Sequence, residues 1–397
     1  MAFRSTFILR SIATAGQLGI ALALAGCQKQ PSEPPPALAP TPLEPVAPIE
    51  GAPAPEAKAA EPAPAPKPST VMIADVGFKT PESIFYDSEQ DVYLVSNING
   101  SPLEANNNGF ISKVAPDGKV IELKWIESGK NGVTLNAPKG MAISGGLLYI
   151  SDITFVRLFD RKTGEPKGKI GIGGATFLND VAAAPDGTVY VSDSGLKAGK
   201  DGLAPTGTDA VFKISNGQAQ KVVLDKGLGG PNGLTADDAG VWVVTFGKNE
   251  LFKVDKEGKR ADVGTLPKGG LDGLVRLSDG SFLVSSWEAS TVYRGKPGGP
   301  FEAIVTDVAS PADIGFDSSR GRLLIPLFQK DAMAMVDLPD APKTANAAAA
   351  PSKPDPKAAV PADPKKAAPA EGKPAGTPPA PAPKADASKA QSQPPAK

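Results

Sequence analysis

Histidine is absent from all 397 residues. That single absence removes Ser-His-Asp and Cys-His nucleophilic catalysis, His-ligated zinc and an imidazole general base. Any chemistry must come from carboxylates, amides, Lys, Tyr or a bound hard cation. Excess charge is missing as well, with 42 basic residues against 43 acidic ones. A near-neutral chain lacks the electrostatic footprint of a nucleic-acid binder. Cysteine occurs once, at Cys27. A domain without thiols has nothing to mispair and suits an oxidising compartment. The apolar stretch before it, Ile12 to Gly26, is too short to span a bilayer comfortably. What the chain has in quantity is Gly (43) and Pro (42), which punctuate short apolar runs.

Arg4 and Arg10 precede the N-terminal apolar stretch, which ends in Leu24-Ala25-Gly26-Cys27. This tetrapeptide resembles the lipobox of bacterial lipoproteins. The resemblance implies that residues 1–26 are a signal peptide and that Cys27 carries a lipid at the mature N-terminus. Gln28 follows, not the Asp that retains many lipoproteins at the inner membrane. The expected place is therefore the outer membrane, facing the periplasm, if the source is Gram-negative. Residues 27–70 are rich in Pro and Ala, too poor in apolar surface to offset their ordering entropy, and read as a semi-rigid tether. Residues 339–397 return to Ala, Pro and Lys, with nine Lys against five acidic residues after Leu338. That tail is either a solvated low-complexity segment or a contact for an anionic envelope polymer.

Between these segments, residues 71–338 carry six copies of one design: an anchor, one variable residue, a small or acidic residue, then an apolar strand. The copies are Pro81-Glu82-Ser83-Ile84, Pro138-Lys139-Gly140-Met141, Leu178-Asn179-Asp180-Val181, Pro231-Asn232-Gly233-Leu234, Leu271-Asp272-Gly273-Leu274 and Pro311-Ala312-Asp313-Ile314. Their second residues are separated by 57, 40, 53, 40 and 40 positions. A period near 40 made of short strands predicts an all-β, six-bladed β-propeller. Strand runs such as Val92-Tyr93-Leu94-Val95 and Val241-Trp242-Val243-Val244 recur, and helical periodicity does not. Asp-Gly pairs at Asp117-Gly118, Asp186-Gly187 and Asp279-Gly280 mark hairpin turns. The last repeat supplies only three strands, so Val71–Ala74 is expected to complete it and close the ring.

In a propeller the same slot of every blade faces the central channel. Glu82, Lys139, Asn179, Asn232, Asp272 and Ala312 should therefore form one ring, four of them bearing oxygen donors. Carboxylates and amide carbonyls are hard donors of the kind calcium prefers. The pattern resembles the gluconolactonase and luciferin-regenerating-enzyme family, with the diisopropylfluorophosphatase and paraoxonase propellers. The resemblance rests on Glu82, Asn179, Asn232 and Asp272 in blade order, covers roughly Val71 to Leu338, and includes neither tail. It implies a divalent ion, calcium by preference, held by these four. It further implies hydrolysis of a small-molecule lactone or ester, with Asp272 activating water or attacking directly. Lys139 departs from the pattern: it would repel a cation unless it points away or binds an anionic substrate. A second reading stays open. NHL-type propellers use the same Pro-x-Gly entries and Tyr-x-x-Asp ends, such as Tyr149-Ile150-Ser151-Asp152, as non-catalytic platforms for ligands or proteins.

Overall fold

The turns come first in the explanation, because they set the strand lengths. Gly118, Gly187 and Gly280 adopt φ of 90°, 88° and 79°. The Asp before each accepts the amide of the residue after it, at 2.9, 3.0 and 2.9 Å for Lys119, Thr188 and Ser281. Only glycine holds that left-handed conformation without strain, and the carboxylate closes the turn. Between such turns the chain runs in short antiparallel strands. The computed structural model describes residues 69–343 apart from 201, 225 and 226, and six four-stranded sheets are found there. Among the described residues the one helical element is a 3-10 turn at Phe328–Lys330, and no helix is long and apolar enough to cross a membrane. The propeller expected from the 40-residue period is the observed fold. Cys27, the residue 1–26 signal, most of the 27–70 tether and nearly all of the 339–397 tail lie outside the described residues.

In the first blade the strands are Pro81–Asp87, Val92–Asn97, Phe110–Val114 and Val120–Glu127. The sixth blade is made of Gly315–Asp317, Arg322–Leu327 and Ala332–Asp337, and its outer strand is Thr70–Ile73 from the other end of the chain. Thr70 pairs with Val336 and Ile73 with Met333, so N-terminal residues close the ring as the missing strand required. The core is divided accordingly. Six clusters of buried apolar residues occur, each built from two adjacent blades. Leu94 and Ile111 of the first blade pack with Met141, Ile150 and Phe159 of the second. At the closure, Ile84 and Tyr93 pack with Leu324, Met333 and Met335. Each sheet thus buries both faces against its neighbours, and burial at roughly 25 cal/mol per Å² of apolar surface favours the closed ring over any open one.

The inner strands crowd one another at the channel. A Cβ added at Gly233 would lie 2.1 Å from the Asp272 carbonyl oxygen and 2.8 Å from the Leu274 nitrogen. One at Gly273 would lie 2.2 Å from the Ile314 nitrogen. Glycine in the third slot of these blades, at Gly233 and Gly273, is therefore a packing requirement.

Candidate metal centre

A shared irregularity aims the second-slot side chains. In the first blade Pro81 faces Asn97 and Ile84 faces Val95, so Glu82 and Ser83 together oppose the single residue Ser96. The same shift falls between Pro138 and Met141, Leu178 and Val181, Pro231 and Leu234, and Leu271 and Leu274. Two residues against one is a β-bulge, which breaks the ladder and re-aims a side chain. A bulge also leaves an amide without its ladder partner, and serines of the second strand supply one. The Ser83, Asp180 and Gly273 amides donate to Ser96, Ser192 and Ser285 Oγ at 2.9, 2.9 and 2.8 Å. Ser192 and Ser285 Oγ in turn donate to the carbonyls of Asn232 and Ala312 in the next blade, both at 2.8 Å. Ser151 Oγ does the same for Asn179. Ser151, Ser192 and Ser285 thus each join two blades and fix the backbone of a ring residue. In the sequence two of them stand in Ser-Asp strand ends, Ser151-Asp152 and Ser192-Asp193, where the pattern marks the end and not the bond. The Asp152 and Asp193 carboxylates accept the amides of Ala137 and Phe177 at 2.9 and 2.8 Å, which ties down the segments leading into Lys139 and Asn179.

All six second-slot residues are buried. Three of their oxygens, Glu82 Oε2, Asn232 Oδ1 and Asp272 Oδ1, are shut off from solvent and accept no hydrogen bond. The other atoms of the set are held. Trp287 Nε1 donates to Asp272 Oδ2 at 2.7 Å, and Asn179 Nδ2 donates to Ser194 Oγ at 3.1 Å. An orphaned buried acceptor costs about 1–3 kcal/mol, more when charged, so three on one set of residues ask for a partner. Two carboxylates and two amide carbonyls form a hard donor set that fits a divalent cation of calcium type. Among the described residues no group of three or more Asp, Glu, Cys or His side chains forms a metal site on its own. The fit depends on the two asparagines.

The electrostatics agree with an unsatisfied negative site. Burial pushes the Glu82 carboxyl well above the usual range, and the Asp272 and Asp313 charges raise it further. Asp272 is raised by burial and by Asp313, against the lowering effect of the Trp287 hydrogen bond and of the nearby Asn232 amide. Lys139 stands in the ring but is tied back. Its Nζ donates to the Ala137 carbonyl at 3.1 Å and lies 4.5 Å from the Phe177 ring centroid. Burial pulls its pKa down while Glu82 and Asp152 hold it up. Two further acids come from the third slot. Asp180 accepts the Leu234 amide at 2.6 Å, and Asp313 Oδ2 accepts Ser83 Oγ at 2.5 Å. Burial raises both, Asp313 to about 7. They lie on the other side of the ring from Trp287. There a cavity of about 370 Å³ is lined by Ser83, Asp180, Asp313 and aliphatic side chains such as Met141, Leu234 and Leu274.

Asn97 is buried and accepts the Lys79 amide at 2.9 Å, and Asn99 and Asn108 bond each other's carbonyls, so the first-blade loop braces itself. The third blade carries a separate two-stranded hairpin between its second and third strands, Leu196–Gly199 with Gly202–Pro205, rooted beside Ser194.

No family model matches the sequence, and no curated protein sequence matches it. Solved structures do. A gluconolactonase from Xanthomonas campestris is 18% identical with a TM-score of 0.53, covering 68% of this chain and 90% of that one. A luciferin-regenerating enzyme is 14% identical with a TM-score of 0.50, covering 70% and 98%. A virginiamycin B lyase from Staphylococcus aureus is 13% identical with a TM-score of 0.50, covering 68% and 100%. The fold is shared with all three. At these identities the likeness speaks for the fold, and a fold hosts many chemistries.

Proposed function

We propose that this chain is a divalent-cation-dependent hydrolase of small lactones or esters, held at the cell envelope by a lipid on Cys27. The observation that carries the chemistry is the trio of orphaned, solvent-shielded oxygens on Glu82, Asn232 and Asp272. A propeller serving only as a platform has no use for buried acceptors left without donors. Glu82, Asn179, Asn232 and Asp272 would hold the ion. When bound, a divalent cation supplies Lewis acidity, polarising a carbonyl and acidifying a water.

The chain's own residues supply the rest. Trp287 fixes one oxygen of Asp272 and leaves the other free to accept the proton of an attacking water. The water oxygen bonds to the carbonyl carbon and the carbonyl–alkoxide bond breaks. The alkoxide then takes from Asp272 the proton it received, which restores the carboxylate and releases the alcohol end of a hydroxy acid. Lys139 places a positive charge at the edge of the site, suited to the developing carboxylate of the product.

The test is hydrolysis of a panel of lactones and aryl esters by purified protein, stripped with EDTA and then reloaded with calcium. Turnover should appear only on reloading. Asp272→Asn should cost about 10²–10⁴-fold in kcat, the usual contribution of a general base, more than it costs in calcium affinity. Turnover that ignores EDTA sinks the cation, and no turnover on any substrate leaves a non-catalytic binding module. For the anchor, Cys27→Ser should lose fatty-acid labelling and leave the membrane fraction.

A further inference from the structure

The end of each second strand pairs with the start of the inner strand, as in Pro231 with Thr245, Leu271 with Ser286 and Pro311 with Leu327. The residue that follows the second strand therefore stands at the mouth of the channel, just beyond the ring. In the first three blades these residues are Ile98, Ile153 and Ser194; in the last three they are Phe246, Trp287 and Phe328. The three aromatics are contiguous. Phe246 meets Trp287 edge-on at 5.9 Å between centroids, and Trp287 meets Phe328 at 5.2 Å. Their backbones are laced by Gly270 N–H to Phe246 O at 3.1 Å and Trp287 N–H to Gly270 O at 2.9 Å.

We propose that Phe246, Trp287 and Phe328 are the wall against which the non-reacting part of the substrate lies, and that this part is apolar. Resting on the hydrolase reading, this names the substrate class: alkyl- or aryl-substituted lactones in preference to polyhydroxylated sugar lactones. Three features carry it. The wall touches the reacting end, because the Trp287 indole is bonded to Asp272. It offers no spare polar atom, since its single N–H is already donated to that carboxylate. A sugar lactone would bury hydroxyls there without partners, and each such loss disfavours it. Finally, Phe246 is 40% exposed at the outer edge of the stack. One exposed Phe means little by itself. Stacked on a ring that is bonded to the site, it is surface that an apolar substituent would cover.

The experiment compares kcat/KM for glucono-δ-lactone and for a δ-lactone bearing an alkyl chain, both with calcium. The alkyl lactone should be preferred by at least about tenfold, the scale of one or two desolvated polar groups. Phe246→Ala should collapse that ratio, chiefly through the KM of the alkyl lactone, and Phe246→Leu should restore most of it. A preference for the sugar lactone, or a ratio unchanged in Phe246→Ala, overturns the wall. The matching δ-lactams, which resist hydrolysis, give an independent arm by calorimetry. The alkyl lactam should bind the wild-type protein and bind Phe246→Ala about tenfold more weakly. If the lactam binds in this way while no lactone is turned over, the hydrolase reading fails and the wall stands. If lactones are turned over without any dependence on Phe246, the wall fails and the hydrolase stands.

Discussion

Calcium is expected to raise the melting temperature of the metal-free protein by roughly 5–10 °C at a hundredfold excess over its Kd. A ligand bound only to the folded state stabilises it by about 2.7 kcal/mol at that excess, and each kcal/mol moves a domain of this size by about 2–4 °C. The gain comes from giving Glu82 Oε2, Asn232 Oδ1 and Asp272 Oδ1 the partner they lack. Differential scanning calorimetry across a calcium titration measures it. Asp272→Ala should abolish the response, because it removes one of two carboxylates in the set. Asn179→Asp should keep it, since an oxygen donor remains. Lys139→Met should shift the titration to lower calcium by about tenfold, because the ammonium is drawn to Glu82 and opposes the cation. A response that survives Asp272→Ala would place the ion elsewhere. Weaker binding in Lys139→Met would mean that the lysine positions Glu82 and does not obstruct.

The propeller was legible because its unit repeats. Six anchors at nearly constant spacing leave few other architectures, and the Asp-Gly turns fall where a hairpin needs a left-handed residue. The shared burial of the six second-slot residues was legible for the same reason: equivalent positions share one environment. The cause of their aim was not. A bulge is a relation between two strands, and nothing in Pro-Glu-Ser-Ile states that a lone serine will stand opposite Glu82 and Ser83. The serines that join blades were visible only as polar strand ends, such as Ser151-Asp152 and Ser192-Asp193; the carbonyls they bond belong to the next blade. Asp313 illustrates a third limit. Its amide donates to the Glu82 carbonyl at 2.8 Å only because the last inner strand leans on the first. That contact spans 231 residues and exists only once the ring is closed. The bond from Trp287 to Asp272 joins the second strand's end to the inner strand and is a tertiary contact that neither segment states alone.

The absence of histidine yields the sharpest experiment on the channel. In most proteins a change of stability between pH 5 and 7.5 is dominated by imidazoles. Here none exists, so carboxylates displaced upward should control that window. Glu82, Asp180 and Asp272 are all raised by burial, and Asp313 reaches about 7 from an ordinary value of 3.8. The folded metal-free protein therefore holds protons that the unfolded chain has already released. By linkage, the stability these raised carboxylates contribute is fully present below about pH 4 and is lost as pH rises toward 7. Asp313 alone contributes on the order of 4 kcal/mol across that interval, at 1.36 kcal/mol per pKa unit. Carboxylates held low by partners, such as Asp186 and Asp279 at about 2, act with the opposite sign. Their window lies below pH 4, so the two sets separate. Urea unfolding in EDTA should thus give a stability that falls from pH 4.5 to 7.5, and Asp313→Asn should flatten the slope. Calcium competes with the protons on Glu82 and Asp272, so its stabilisation should be larger at pH 7.5 than at pH 5. A metal-free protein whose stability climbs over this range would show that the channel carboxylates are already ionised and paired, and the cation site argued from their orphaned oxygens would fall with it.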